Sequence, residues 1–280
     1  MARAGLPVPE GFVVGAPALT AALHAGGRRS EVTALLEAAR LDRYVAGAVR
    51  EIVLTLEPPD RLEEAIEAAL ARLGPQTPVA VRSSAVAEDS EAASFAGQQE
   101  TYLNVHGAHQ VWERVRQCWA SFFTEHALFY RARKGSLSDL AMAVVVQRQL
   151  APEKAGVIFT IDPVRRRNDQ MIVEGVWGLG EVLVSGRVTP DHYVIARDGT
   201  VRQARISVQT IAIHPLQGGG THEHALDPAE GGNRVLDDAE LQQVAALGNR
   251  LQQQFGMPQD VEWAFQQGKL YVLQSRPVTA

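Results

Sequence analysis

The segment VAVRSSAVAEDS, residues 79–90, ends an apolar run on an arginine. The run from Val79 to Val81 is typical of a buried strand, and Arg82 follows it directly. A guanidinium in such a place is costly to desolvate unless a negative group meets it. Its five donors form a fork that matches carboxylate or phosphate oxygens. The sequence therefore predicts that Arg82 binds an anion, either an acidic side chain or a phosphate.

The two last apolar runs of the chain, DVEWAF and KLYVLQSR, predict a β-hairpin with a short turn at Gly268. With a loop at 267–269, residue 266 pairs with residue 270, and Glu262 lies opposite Gln274. Arg276 is two residues after Gln274 and therefore shares its face. A carboxylate, an amide oxygen and a guanidinium together suit a hard cation and a phosphate. The alternative is an ordinary hairpin whose polar face meets solvent.

Three glycine-containing stretches could bring backbone close to a ligand, namely SFAGQQET at 94–101, WGLGE at 177–181 and SGR at 185–187. The first is compatible with a lid over phosphates, and a plain surface loop explains it equally well. Loop geometry alone also accounts for the other two. The sequence has no G-x-x-x-x-G-K-[ST] motif, and no long helical pattern follows WGLGE, which argues against a P-loop and a Rossmann site.

The histidines and the single cysteine do not predict a metal centre or a nucleophile. His106 with His109, and His222 with His224, are expected to be exposed structural residues. Cys118 lies in a helical apolar pattern and is expected to be a buried small hydrophobe. No G-x-S-x-G elbow is present, so hydrolase chemistry has little support.

Composition limits the class of protein. The chain has 280 residues, of which 46% are apolar and 21% charged, with a formal net charge of −5. These values predict an ordered globular chain and argue against a nucleic-acid partner, which would favour a basic surface. No apolar run reaches the length of a membrane span, and the first residues do not resemble a signal peptide. We expect a cytoplasmic protein without a membrane partner.

Helical and β-like patterns alternate along the first half of the chain. One helix is expected to be capped by Ser30 and to reach Ala39. A second is expected to open on a box formed by Asp60 and Glu63 and to stop at Gly74. A third, with an aromatic stripe that we expect in the core, is predicted over residues 109–133.

From residue 141 the pattern changes to short β-rich runs. A mobile loop is expected around the glycines at 218–220, including His222 and His224. A helix opened by Asp237 and Glu240 follows, and the two hairpin strands end the chain. The predicted class is α+β, with an N-terminal α+β subdomain over residues 1–140 and a β-rich subdomain over residues 141–280.

Five long segments, taken in order, resemble one family. They are VAVRSSAVAEDSEAASFAGQQETYLNV, AVVVQRQL, AGVIFTIDP, WGLGEVLVSGRVTPDHYV and QDVEWAFQQGKLYVLQSRPV. The chain resembles the ATP-binding domain of phosphoenolpyruvate synthase, pyruvate phosphate dikinase and rifampin phosphotransferase from residue 3 to its end. The resemblance implies an ATP-grasp-like fold with two subdomains and a nucleotide cleft between them.

The resemblance also implies roles for individual residues. Arg82 and Arg276 match arginines that act on the ATP phosphates, and Gly97 and Thr101 match the lid loop over them. Glu262 and Gln274 match the pair that holds Mg²⁺ or Mn²⁺. The remaining matches are Asp260, an acid near the metal, Glu181, near the ribose, and Gln147, Arg148, Gln149 and Leu150, along the adenine.

In the family, ATP phosphorylates a histidine on a swivelling domain, and AMP and phosphate are released. Here that histidine is expected on a separate domain or partner chain, because no glycine-flanked histidine motif of that kind is visible. The chain begins at MARAGLPVPEGF, without the family's preceding Gly-Gly-Lys stretch. The alternative reading is therefore an ATP-sensing or regulatory module that lacks the phosphate-binding lysine.

Overall fold

The computed structural model describes residues 1–37, 42–85, 100–134, 137, 140–165 and 167–278. They form two compact units, Glu10–Gln149, and Met1–Pro9 together with Leu150–Ala280. Both units combine helices with antiparallel sheets, so the α+β class is confirmed. Within the described residues, no helix combines the length and apolar character needed to cross a membrane.

The N-terminal unit contains one four-stranded sheet in the order β1-β4-β2-β3. Its elements are β1 (Gly11–Val14), α1 (Pro17–Ala25), α2 (Arg29–Leu36), α3 (Arg43–Leu54), α4 (Leu62–Leu73), β2 (Val79–Ala85), β3 (Thr101–Val105), α5 (Gly107–Ser121), α6 (Glu125–Lys134) and β4 (Met142–Arg148). The expected aromatic stripe lies in the core of this unit, where Trp112 and Trp119 meet edge to face at 5.4 Å. Cys118 is buried beside them, as expected.

Three expectations for the helices of this unit are wrong. The predicted 109–133 helix is two helices, because Thr124 starts a new one by accepting from the Ala127 amide through its hydroxyl. Ser30 lies inside α2 and does not cap it, and residues 38–41 lie outside the described chain. The Asp60 box does not form, because α4 begins after Arg61, which has a positive φ of 66° and makes no side-chain cap.

The C-terminal unit contains a six-stranded sheet in the order β12-β11-β5-β6-β7-β8 and a separate two-stranded sheet, β9 with β10. Its elements are β5 (Lys154–Phe159), β6 (Gln170–Trp177), α7 (Glu181–Val184), β7 (Asp191–Ala196), β8 (Val201–Arg205), β9 (Ile211–Pro215), β10 (Thr221–Ala225), α8 (Pro228–Gly231), α9 (Asp238–Phe255), β11 (Gln259–Gln266) and β12 (Lys269–Pro277). The predicted capping box of α9, Asp237 with Glu240, is confirmed.

One helix covers one face of the large sheet. Leu241, Val244 and Leu251 of α9 are fully buried in a cluster with Trp263 and Phe265 of β11. The first nine residues join this unit, since the Val272 amide donates to the Pro7 carbonyl at 2.8 Å. One face of the sheet is therefore committed to a hydrophobic core, and the other carries the polar residues described below.

Two other features differ from the sequence-based expectations. The segment around His222 and His224 is a β-hairpin, in which Thr221 to Ala225 pair with Pro215 to Ile211. The expected boundary at 140/141 differs from the observed division after Gln149. Strand β4 pairs with β1 and β2, so hydrogen bonds tie it to the N-terminal sheet.

Gly156 of β5 offers a test of this packing. A Cβ at Gly156 would lie 1.9 Å from the Glu174 carbonyl oxygen and 2.5 Å from the Trp263 ring. We expect Gly156→Ala to lower the free energy of unfolding by about 1–3 kcal/mol, as overpacking of a filled core does. Denaturant-induced unfolding measures this change.

Gly47→Ala is the matched control. Gly47 lies in α3, and a Cβ there would meet nothing within 4 Å. Alanine should raise stability by about 0.5–1 kcal/mol, since glycine weakens a helix interior. Equal stability of Gly156→Ala and the parent chain would contradict the close packing of Trp263 on β5.

Candidate metal and phosphate site

The hairpin of β11 and β12 turns more tightly than the sequence suggests. Gln266 pairs with Lys269, so the expected three-residue loop and the pairing of 266 with 270 are wrong. The two turn residues, Gln267 and Gly268, have φ values of 52° and 71°. Positive φ at both central positions is what a type I′ hairpin turn requires.

A β-bulge restores the predicted opposition. Trp263 pairs with Val272, but Glu262 pairs with Gln274, so Leu273 is an extra residue in the ladder. Asp260 then pairs with Arg276. The prediction that Glu262 lies opposite Gln274 is confirmed, although a shorter turn and a bulge produce it together.

The bulge also decides which face Gln274 and Arg276 occupy. Leu270 and Val272 lie on the face that packs against α9. By strict alternation Gln274 and Arg276 would follow them into that core. The extra residue reverses the alternation and places both residues on the opposite face, beside Glu262 and Asp260.

Asp260 and Arg276 form an ion pair on this face. Both Nε and Nη2 of Arg276 lie 2.8 Å from Oδ2 of Asp260, and the Asp260 side chain is only 11% exposed. Burial raises the pKa of the Asp260 carboxyl, Glu262 and Glu174 raise it further, and Arg276 lowers it without cancelling the rise. Asp260 and Glu262 thus place two carboxylates beside one guanidinium on this face, a pattern that favours a bound cation.

The donor set fits a magnesium ion that shares its coordination with a nucleotide. The paired Glu262 and Gln274 offer a carboxylate and an amide oxygen from adjacent strands. Mg²⁺ prefers oxygen ligands and usually keeps waters and substrate phosphates, so two protein ligands suffice. Among the described residues, no group of three His, Cys, Asp or Glu side chains could hold a metal alone.

The N-terminal unit places three predicted nucleotide-binding residues on neighbouring strands of one sheet: Arg82 and Thr101, predicted at the phosphates, and Gln147, predicted at the adenine. Arg82 lies in the middle of its sheet, paired with Thr101 on β3 and Val145 on β4. Gln147 pairs with Ala80 two residues along, so alternation places it on the same face as Arg82. Gly97, the other predicted lid residue, lies outside the described chain.

The other residues predicted along the adenine, Arg148, Gln149 and Leu150, lie in different surroundings. Arg148 donates to the Glu10 carboxylate at 2.9 Å and to the Leu73 carbonyl at 2.8 Å, which are contacts of the N-terminal fold. The side-chain oxygen of Gln149 accepts a hydrogen bond from the backbone amide of Asn104. Leu150 is buried in the C-terminal unit, in a small cluster with Ala155 and Ala264.

Glu181 is exposed at the first position of the short α7, after the glycine stretch. Gly178 has a φ of 74°, and a Cβ there would lie 2.5 Å from the Ile213 carbonyl. Loop geometry therefore accounts for Gly178, the first glycine of WGLGE. Glu181 remains a prediction for a ribose contact.

Sequence reasoning missed two polar residues on the face of the large sheet that carries Glu262 and Gln274. Glu174 of β6 and His192 of β7 are paired, with His192 Nδ1 3.3 Å from Glu174 Oε1. The available signal was a single carboxylate in the otherwise apolar run MIVEGVW.

The ion pair generates a pH prediction. In Arg276→Gln the neighbouring positive charge is removed, so the pKa of Asp260 should move further above its ordinary value. A titration followed by ¹³C NMR of the carboxyl carbons measures it, with Asp162 of the same unit as the internal reference. An unchanged or lower pKa of Asp260 in Arg276→Gln would contradict the ion pair.

Comparison with known proteins gives a family match over the whole chain. The model of the "Pyruvate phosphate dikinase, AMP/ATP-binding domain" matches residues 1–280. The chain is 40% identical to "Rifampicin phosphotransferase" of Streptomyces sp. over 98% of its length. It is 40% identical to "Probable phosphoenolpyruvate synthase" of Methanothermobacter thermautotrophicus over 100%, and 42% identical to the protein of that name from Archaeoglobus fulgidus over 99%.

The chain spans 32%, 42% and 38% of the lengths of these three relatives, respectively. Among solved structures, it aligns with D-alanyl-alanine synthetase A from Vibrio cholerae over 98% of this chain and 52% of that one, at 8% identity and a TM-score of 0.38. It also aligns with the ATP-grasp ligase PsnB over 100% of this chain and 49% of that one, at 12% identity and a TM-score of 0.30.

Proposed function

The chain belongs to the pyruvate phosphate dikinase AMP/ATP-binding domain family, and from this membership we propose that it binds Mg²⁺ and ATP and donates a phosphoryl group to a histidine. The histidine lies on a swivelling domain or a partner chain. The observation that carries the proposal is the bulged hairpin, which pairs Glu262 with Gln274 and Asp260 with Arg276 on one face.

Each residue has a physical role in this reaction. Glu262 and Gln274 hold the cation through oxygen atoms, and the cation neutralises phosphate charge. Arg276 and Arg82 offer guanidinium donors to phosphate oxygens, with Thr101 beside Arg82. Asp260 holds Arg276 in place through the ion pair. Phosphoryl transfer depends mainly on such positioning and charge neutralisation, so no nucleophile from this chain is needed.

The overall conversion balances with one water molecule. ATP, histidine and water give AMP, orthophosphate and phosphohistidine, so one phosphoryl group goes to the imidazole and the other to water. The family's final reactions differ, since the relatives are named for rifampicin and for the synthesis of phosphoenolpyruvate. These names describe transfer and synthesis, so they do not favour the alternative of a regulatory ATP sensor.

Several further roles remain proposals carried over from the family resemblance. They are Gly97 on the phosphates, Gln147, Arg148, Gln149 and Leu150 along the adenine, and Glu181 at the ribose. Of these, Arg148 is the weakest, because Glu10 and the Leu73 carbonyl already bind its guanidinium. A cytoplasmic location also remains a prediction, compatible with a single buried cysteine.

Calorimetric titration with ATP and Mg²⁺ tests the proposal. We expect the chain to bind ATP more tightly with Mg²⁺ than without it. Glu262→Ala should remove this metal dependence. Arg82→Ala should weaken binding about tenfold or more, because a charge-assisted contact contributes about 1.5–3 kcal/mol.

Arg28→Ala and Glu223→Ala are the charge-matched controls, since both residues form exposed ion pairs with other partners. With a separately expressed histidine domain from a phosphoenolpyruvate synthase, the chain should form AMP from ATP. Metal-dependent ATP binding without AMP would refute transfer, and no heat in the parent chain would refute the whole proposal.

A further inference from the structure

The face of the large sheet that carries Glu262 and Gln274 also carries a line of paired residues at right angles to the strands. Glu262 of β11 pairs with Val157 of β5, Val157 pairs with Glu174 of β6, and Glu174 pairs with His192 of β7. Residues paired in this way share a face, so Glu174 and Glu262 lie on the same side of the sheet. Only one strand, carrying Val157, separates them.

The spacing of this line limits what Glu174 can do. Two interstrand steps place the backbones of Glu262 and Glu174 about 10 Å apart. A cation bound by Glu262 and by Gln274, its neighbour on the far side, lies closer to the hairpin than to β6. Glu174 then reaches the cation best through a water molecule. Mg²⁺ usually retains several waters, each of which donates two hydrogen bonds.

Two observations connect Glu174 with the proposed metal ligand Glu262. Glu174 and Glu262 pair with the same residue, Val157, from the two sides of β5. Glu174 is also held from its other side, since Nδ1 of His192 lies 3.3 Å from Oε1 of Glu174, with both side chains about one-third exposed. This contact restrains the rotation of the carboxylate.

We propose that Glu174 accepts a hydrogen bond from a water molecule on the magnesium ion held by Glu262 and Gln274, and that His192 positions Glu174 for this contact. The inference rests on the proposed function, because it needs that cation. Carboxylates that bind metal-held water orient the coordination shell, and their loss typically weakens metal affinity 10- to 100-fold. A purely structural contact between Glu174 and His192 would leave metal affinity unchanged.

Electron paramagnetic resonance of Mn²⁺ tests this role directly. The chain is titrated with Mn²⁺ in the presence of a non-hydrolysable ATP analogue, and the signal of unbound Mn²⁺, compared with that of the analogue alone, gives the dissociation constant of the complex. We expect Glu174→Gln to weaken Mn²⁺ binding about tenfold. His192→Gln should weaken it less, because the carboxylate remains. Affinity for the analogue without metal should stay the same in both variants.

Asp169→Asn is the matched control. Asp169 directly precedes β6 and is half-exposed in ion pairs with Arg167 and Arg202. Its substitution removes the same charge from the same unit, at about five residues' distance along the chain from Glu174. Mn²⁺ affinity in this variant should match the parent chain, which separates a local contact from a general loss of negative charge.

The outcomes distinguish this inference from the proposed function. If the parent chain binds no Mn²⁺ with the nucleotide, both fail. If the parent binds and Glu262→Ala does not, while Glu174→Gln and His192→Gln match Asp169→Asn, the inference alone is overturned. A loss of metal-free nucleotide affinity equal to the loss of Mn²⁺ affinity would also overturn it. If Glu174→Gln does not fold, weaker Mn²⁺ binding by His192→Gln supports it and parent-like binding overturns it.

Discussion

Leu273 is the extra residue of the β-bulge in the terminal hairpin, and the arrangement of the proposed metal site depends on this bulge. One face of the six-stranded sheet is filled by α9, which buries Val272 together with Trp263. A regular ladder would direct Gln274 and Arg276 towards that core. An unpaired guanidinium there would carry a large desolvation cost. The bulge instead places Arg276 against Asp260 on the opposite face.

The same face carries three carboxylates, those of Asp260, Glu262 and Glu174, and the guanidinium of Arg276. Burial raises the pKa of the Asp260 carboxyl most, Arg276 lowers it, and the charges of Glu262 and Glu174 raise it. A divalent cation bound at this face would offset the repulsion among the carboxylates. The rigid hydrophobic core on the other face of the sheet fixes the strands. Packing on that face therefore holds the strands that carry the carboxylates in place.

Much of the fold follows from local sequence patterns, and the exceptions have identifiable causes. The capping box predicted at Asp237 forms, and a long amphipathic helix follows it. The box predicted at Asp60 does not form, because the helix begins after Arg61, which has a positive φ. The hairpin around the glycines at 218–220 was missed because its second strand, β10, is short and exposed, so no apolar pattern marks it. The predicted subdomain boundary fell before β4, because the sequence of β4 resembles the β-rich runs that follow it. In the structure β4 pairs with the earlier strands β1 and β2.

The candidate site was likewise predictable only in part. The opposition of Glu262 and Gln274 was predictable from residue types and approximate spacing, but the route to it was not. A two-residue turn shifts the register by one position, and the bulge shifts it back. Glu174 was missed because it becomes a neighbour of Glu262 only through the pairing of β5 with both flanking strands, and no sequence spacing encodes that pairing.

Anomalous diffraction from crystals grown with Mn²⁺ and a non-hydrolysable ATP analogue tests the central claim most directly. The account predicts one strong manganese peak within coordination distance of oxygens of both Glu262 and Gln274, with nucleotide phosphate and water oxygens completing the shell. A manganese peak bound to the nucleotide but distant from this hairpin would contradict it.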